Sequence, residues 1–163
     1  MTTAAPTTPS ALDGVQNLNN LSTRYIVLTA AEIIALRATG KILVKAPGAG
    51  KFLEFVSAKL ALEYGSEVLS ESADNLSIVL DDAGGTAVSE TIETTGFIDQ
   101  AADTVLPVGP LASAAAALST YLNKALVLDN TGSAEIGGNA SLDSKLHIWV
   151  TFRTHDTNQR IAS

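Results

Sequence analysis

The sequence predicts a mainly β fold: an antiparallel β-sandwich of jelly-roll character, with two short helices and an extended N-terminal arm. Three observations predict it. Short β-branched runs recur along the chain, separated by Gly, Asn and Asp turn signals at close spacing. No strand–helix–strand rhythm is present, which removes a doubly wound parallel sheet. The run 145–153 alternates cleanly, with Leu146, Ile148, Val150 and Phe152 on one face and Lys145, His147, Trp149, Thr151 and Arg153 on the other. The expected count is roughly seven to nine short strands.

The chain divides by composition into an arm (1–22), a sandwich domain (23–156) and a polar tail (157–163). The arm holds two prolines, five Thr or Ser before residue 11 and a single charge, Asp13. It cannot bury enough apolar surface to order itself. Val15, Leu18 and Leu21 recur at three-residue spacing, so the arm either frays or orders on a neighbouring subunit.

Residues 24–28 (RYIVL) read as a strand. Thr29 and Glu32 have capping-box spacing, Ile33, Ile34 and Leu36 supply an apolar stripe, and Gly40 stands where a C-terminal cap belongs, so a helix of about ten residues follows. Such a short helix must lie on the sheet to persist. Residues 41–45 and 52–62 are strand-like and flank Ala46-Pro47-Gly48-Ala49-Gly50-Lys51, whose turn chemistry lets the two runs pair as a hairpin. This is not a phosphate loop, because Lys45 and Phe52 stand where that motif needs Gly and Ser or Thr. Phe52, Val56, Ala58, Leu60 and Leu62 share one parity while Leu53 and Phe55 hold the other, so the start of this strand is expected to be covered on both faces.

Residues 63–75 form an acidic loop, Leu76, Ile78 and Leu80 mark a strand, and residues 81–85 (DDAGG) are a turn. Residues 86–98, rich in Thr and Val, suggest a more exposed strand. Pro110 suits a first helical position, and residues 111–121 (LASAAAALSTY) have high helix propensity without one charge, which predicts a helix packed at an interface. Leu126 and Leu128 mark the strand that precedes the alternating run, and residues 131–132 and 137–139 are turns.

Chemistry is scarce. Without cysteine there is no disulfide, thiolate metal site or thiol nucleophile. His147 and His155 have neither a nucleophile-elbow context nor zinc-ligand spacing. Asp81 and Asp82 beside Gly84 and Gly85 lack the alternation of a calcium loop. Nothing here asks for an enzyme, a metal or a cofactor. The net charge of −7 disfavours nucleic acid and anionic membrane surfaces, and no apolar run is long enough to span a bilayer. Only 17% of residues are charged against 46% hydrophobic, a hint that a partner covers some surface. Trp149, the only tryptophan, points away from the apolar face of its strand with His147 and Arg153. It is either covered by a second layer or an interface anchor.

Leu28-Thr29-Ala30-Ala31-Glu32-Ile33, Ala46-Pro47-Gly48-Ala49-Gly50-Lys51, Leu60-Ala61-Leu62-Glu63-Tyr64-Gly65 and Leu122-Asn123-Lys124-Ala125-Leu126-Val127-Leu128 carry a resemblance. Over residues 24–154 the chain resembles the head decoration, or cement, proteins of tailed bacteriophages. The resemblance implies a homo-oligomer, a homotrimer in preference to a dimer, that binds the major capsid protein where capsomers meet. It would be made in the host cytoplasm and end on the outer surface of the virion. No catalytic residues carry over. The expected interface residues are Val15, Leu18, Leu21, Leu111, Leu118, His147, Trp149 and Arg153. The alternative is a receptor- or glycan-binding module of a phage tail or adhesin, built on the same fold class.

Overall fold

The computed structural model describes residues 21–71, 75–112 and 115–157. The arm up to residue 20, with Val15 and Leu18, and the tail from residue 158 lie outside the described residues. The elements in order are β1 (Leu21–Thr29), α1 (Ala30–Ile34), β2 (Lys41–Val44), β3 (Lys51–Glu63), β4 (Leu69–Ser70), β5 (Leu76–Leu80), β6 (Thr104–Val108), a 3-10 turn (Leu118–Thr120), β7 (Leu126–Asn130), β8 (Gly137–Gly138) and β9 (Lys145–Asp156).

The fold is mainly β and the strand pairs are antiparallel. A four-stranded sheet runs β1-β9-β3-β6, a three-stranded sheet runs β2-β7-β5, and β4 pairs with β8. Both larger sheets feed one hydrophobic cluster, an arrangement consistent with a β-sandwich. Leu28, Leu60, Ile148 and Val150 enter it from the four-stranded sheet, and Leu43, Ile78, Leu80 and Leu128 from the three-stranded one. Strands β5 and β7 are buried throughout, because Val79 and Val127 pack on Ala125 and Ala87 on the side away from the main cluster.

The alternation of β9 holds: Leu146, Ile148 and Val150 are fully buried, and the opposite residues face outward. The capping box also forms, with Thr29 Oγ1 accepting from the Glu32 N–H and Glu32 Oε2 accepting from the Thr29 N–H. The helix is shorter than expected, because it ends at Ile34 and continues only as turns. Gly40 is not its cap. A Cβ there would meet Val127 Cγ1 at 2.7 Å and the Leu128 carbonyl oxygen at 3.3 Å, so close approach to β7 explains the glycine.

Three expectations are corrected. The turn at residues 46–51 has the expected chemistry, with Gly48 at φ 102° and Gly50 at φ 72°, but it joins two sheets instead of closing a hairpin. Its flanking strands pair with distant segments, β2 with β7 and β3 with β6 and β9, and their apolar faces meet across the core. The mixed parity of β3 does not mark a strand buried on both faces. A β-bulge between Phe55 and Ser57 makes Val56 an extra residue, so Leu53 and Phe55 before it point to the same core as Ala58, Leu60 and Leu62 after it. Residues 86–98 form isolated bridges, Ala87 with Val79 and Ile92 with Leu76, and carry buried Ser89, Ile92, Thr94, Phe97 and Ile98; they are a covering segment, not an exposed strand.

The second expected helix is also absent from the described part of residues 111–121. Residues 111–112 and 115–117 have no regular structure, and only Leu118–Thr120 turns. Pro110 bridges Ser89, and the Leu111 N–H donates to the Val88 carbonyl, so the start of the segment is held extended. A short alanine run offers little apolar area to repay helix nucleation against those contacts.

Candidate interaction face

The outward side of the four-stranded sheet is assembled by register. Tyr25, Trp149 and Lys59 lie side by side on β1, β9 and β3, and Pro107 of β6 completes the row. The next row is Val27, His147, Ala61 and Val105. On the other side come Thr23, Thr151 and Ser57, then Leu21, Arg153 and Glu54. On β3 and over residues 146–150 of β9 the alternate strand neighbours are committed to the core, which turns these residues outward, and the register carries β1 and β6 on the same face.

The face is apolar and aromatic at its centre. Trp149 is 39% exposed, Tyr25 52%, Leu21 48% and Val105 67%. Among the described residues no second layer covers Trp149. The Tyr25 and Trp149 rings are stacked with centroids 5.1 Å apart and an interplanar angle of 30°. His147 lies nearly parallel to both, 6.0 Å from Tyr25 and 6.2 Å from Trp149. Such contacts hold the rings as one plate, so little side-chain entropy remains to be lost on binding.

Hydrogen bonds fix the plate from the side. His147 Nε2 stands 2.6 Å from Glu63 Oε2, and His147 Nδ1 stands 2.6 Å from the Tyr25 hydroxyl. The Glu63 carboxylate can only accept, so Nε2 carries a proton, and in the neutral ring Nδ1 accepts from the Tyr25 hydroxyl. Lys145 donates to the other Glu63 oxygen at 2.7 Å. Lys145 and then His147 hold the Glu63 carboxyl below its ordinary value, and Glu63 in turn raises Lys145. At the opposite end Glu54 accepts from Arg153 at 3.4 Å and lies 2.8 Å from His155 Nε2.

Of the expected interface residues, Leu21, His147, Trp149 and Arg153 share this face, and Leu21 is the direct cross-strand partner of Arg153. Leu111 and Leu118 are exposed elsewhere, on the stretch whose Leu122 bridges Phe52. Leu111 lines a cavity of about 470 Å³ with Phe52, Phe55, Val88 and Tyr121. Tyr25 and Val105 were not singled out from the sequence. The parity of residues 21–27 places Tyr25 with Leu21 and Val27, opposite Ser22 and Arg24, so the alternation alone does not mark it as outward-facing; its direction and its place beside Trp149 depend on a pairing between opposite ends of the chain.

The described residues contain no group of three or more His, Asp or Glu able to hold a metal ion, and no described helix is long and apolar enough to cross a membrane. Comparison with known proteins gives no match: no family model, no curated protein and no solved structure corresponds to this chain.

Proposed function

We propose that the chain is a structural protein of a phage virion, a capsid decoration or cement protein. In this reading it takes the jelly-roll-like sandwich of those proteins and binds the outer surface of the assembled shell between capsomers. The observation that carries the reading is the exposed, pre-stacked Tyr25–Trp149 plate on the outward sheet face, flanked by Val105 and Leu21. A surface with a rigid aromatic centre and a polar rim suits a protein partner, because such centres dominate binding energy. The low charge of the chain and the chemistry missing from its sequence favour a binding role over catalysis. Binding the assembled shell and not its free subunits stabilises the shell by mass action, and symmetry repeats the contact many times. The partners are the major capsid protein and further copies of this chain. Co-sedimentation with undecorated expanded shells tests it: wild-type protein pellets with the shells, and failure to pellet rejects the reading.

A second reading draws on the same plate. Exposed aromatic rings beside Lys59 and Thr151 also suit a sugar ring, as in a glycan-binding module. A glycan array probed with and without calcium separates the two, since a decoration protein leaves every spot unbound.

A further inference from the structure

We propose that β1 is the joint between two copies of this chain, its residues 21–25 pairing antiparallel with the same residues of a second copy about a two-fold axis at Thr23. This rests on the self-association included in the proposed function and selects a dimer over a trimer.

The two edges of the four-stranded sheet differ. β6 is five residues long and contains Pro107, which has no N–H to offer a neighbouring strand. β1 is nine residues long, contains no proline, and among the described residues pairs with β9 on one side alone. All five residues 21–25 are exposed whichever face they belong to, whereas Leu28 is buried by the protein's own core. A long, unblocked edge is a template for another strand.

The sequence of β1 selects the occupant and the register. Its one charged residue is Arg24. An axis at Arg24 sets two guanidinium groups opposite each other. An axis at Tyr25 requires buried Leu28 and the helix-capping Thr29 to take part. The axis at Thr23 pairs all five exposed residues and opposes no like charges: Arg24 meets Ser22 of the second copy, and Leu21 meets Tyr25. Every side chain keeps its face, as a one-residue slip would not allow. The outer rows then join across the axis. Trp149 and Tyr25 of one copy run into Leu21 and Arg153 of the other, whose guanidinium is already paired with Glu54. The apolar Leu21–Tyr25 cross-strand pair forms twice, and the aromatic faces of both copies become one surface.

The chain has no cysteine, which allows a direct test. Residues directly opposite in an antiparallel pair have Cα atoms about 4.5 to 5.5 Å apart, within disulfide reach. Two copies of residue 21 would be offset by about 13 Å along the strand, beyond it. Under mild oxidation Thr23→Cys is expected to give a disulfide-linked dimer and Leu21→Cys none. Sedimentation velocity over a wide range of concentration is expected to give a dimer for the wild type. Thr23→Lys, which sets two ammonium groups at the axis, is expected to be a monomer with the wild-type circular dichroism spectrum. A trimeric or monomeric wild type, or Thr23→Cys that links no better than Leu21→Cys, overturns the joint. None of these measurements needs shells. A monomer that still pellets with shells overturns the joint alone, and a dimer that does not pellet overturns the decoration reading alone.

Discussion

Deleting Val56 tests whether β3 carries one residue more than its ladder needs. Phe55 pairs with Phe152 and Ser57 pairs with Thr151, so removal of Val56 leaves consecutive residues opposite consecutive partners. Leu53, Phe55, Ala58 and Leu60 all keep their inward direction. The loss is one half-buried valine side chain, under about 1.5 kcal/mol. Deleting Ile148 from β9 is the contrast. β9 pairs on both sides and has no residue to spare against β1, while the mismatch with β3 grows from one residue to two. Either segment of β9 must then slip, which loses Ile148 and turns a second core side chain such as Leu146 outward; both are fully buried. At about 1.5 to 3 kcal/mol for each such side chain the cost is about 3 to 6 kcal/mol. A domain holds only about 5 to 15 kcal/mol in total. Urea unfolding followed by far-ultraviolet circular dichroism measures both. A Val56 deletion as destabilised as the Ile148 deletion would refute the bulge account.

Two further predictions concern stability. Thr29→Ala removes both the hydroxyl that accepts from the Glu32 N–H and its contact with Glu32, so a loss of about 1 kcal/mol is expected in the same assay, and an unchanged midpoint would count against the cap. Glu32, Glu63 and Asp143 titrate below their ordinary values of 4.5, 4.5 and 3.8, held there chiefly by Lys41, Lys145 and Asn139 respectively. A carboxyl lowered by folding stabilises the protein fully above its ordinary value, and that contribution is lost as pH falls through the lowered one. The urea midpoint is therefore expected to fall in acid below those ordinary values; a flat profile would show that these pairs do not matter.

Local signals were legible and long-range pairing was not. Thr29 and Glu32 announce their cap because its chemistry spans four residues. The parity of 145–153 announces which face of β9 is buried, and with it the outward direction of Trp149. Gly48 and Gly50 announce a turn, but turn chemistry does not say which strands pair, and the flanking strands went to different sheets. The change of parity at Val56 was visible as a conflict; its resolution as a bulge needs Phe152 and Thr151 on a strand almost a hundred residues away. The alanine-rich segment was misread because propensity is local while the contacts that hold its start at Pro110 and Leu111, to Ser89 and Val88, are not. The Tyr25–Trp149 plate was half legible for the same reason: the face of Trp149 could be read, while that of Tyr25 and the adjacency of the two could not.

The most direct test of the central claim is co-sedimentation of wild-type and Trp149→Ala proteins with undecorated expanded shells. Trp149→Ala removes an exposed ring and its contacts with the Tyr25 and His147 rings, so the fold is retained at a cost of about 1 to 3 kcal/mol, checked by thermal unfolding. Wild-type protein is predicted to pellet with the shells and Trp149→Ala to bind at least about tenfold more weakly, as loss of an interface anchor requires. Equal binding by the two proteins would contradict the assignment of this face, and no pelleting by either would contradict the decoration function itself.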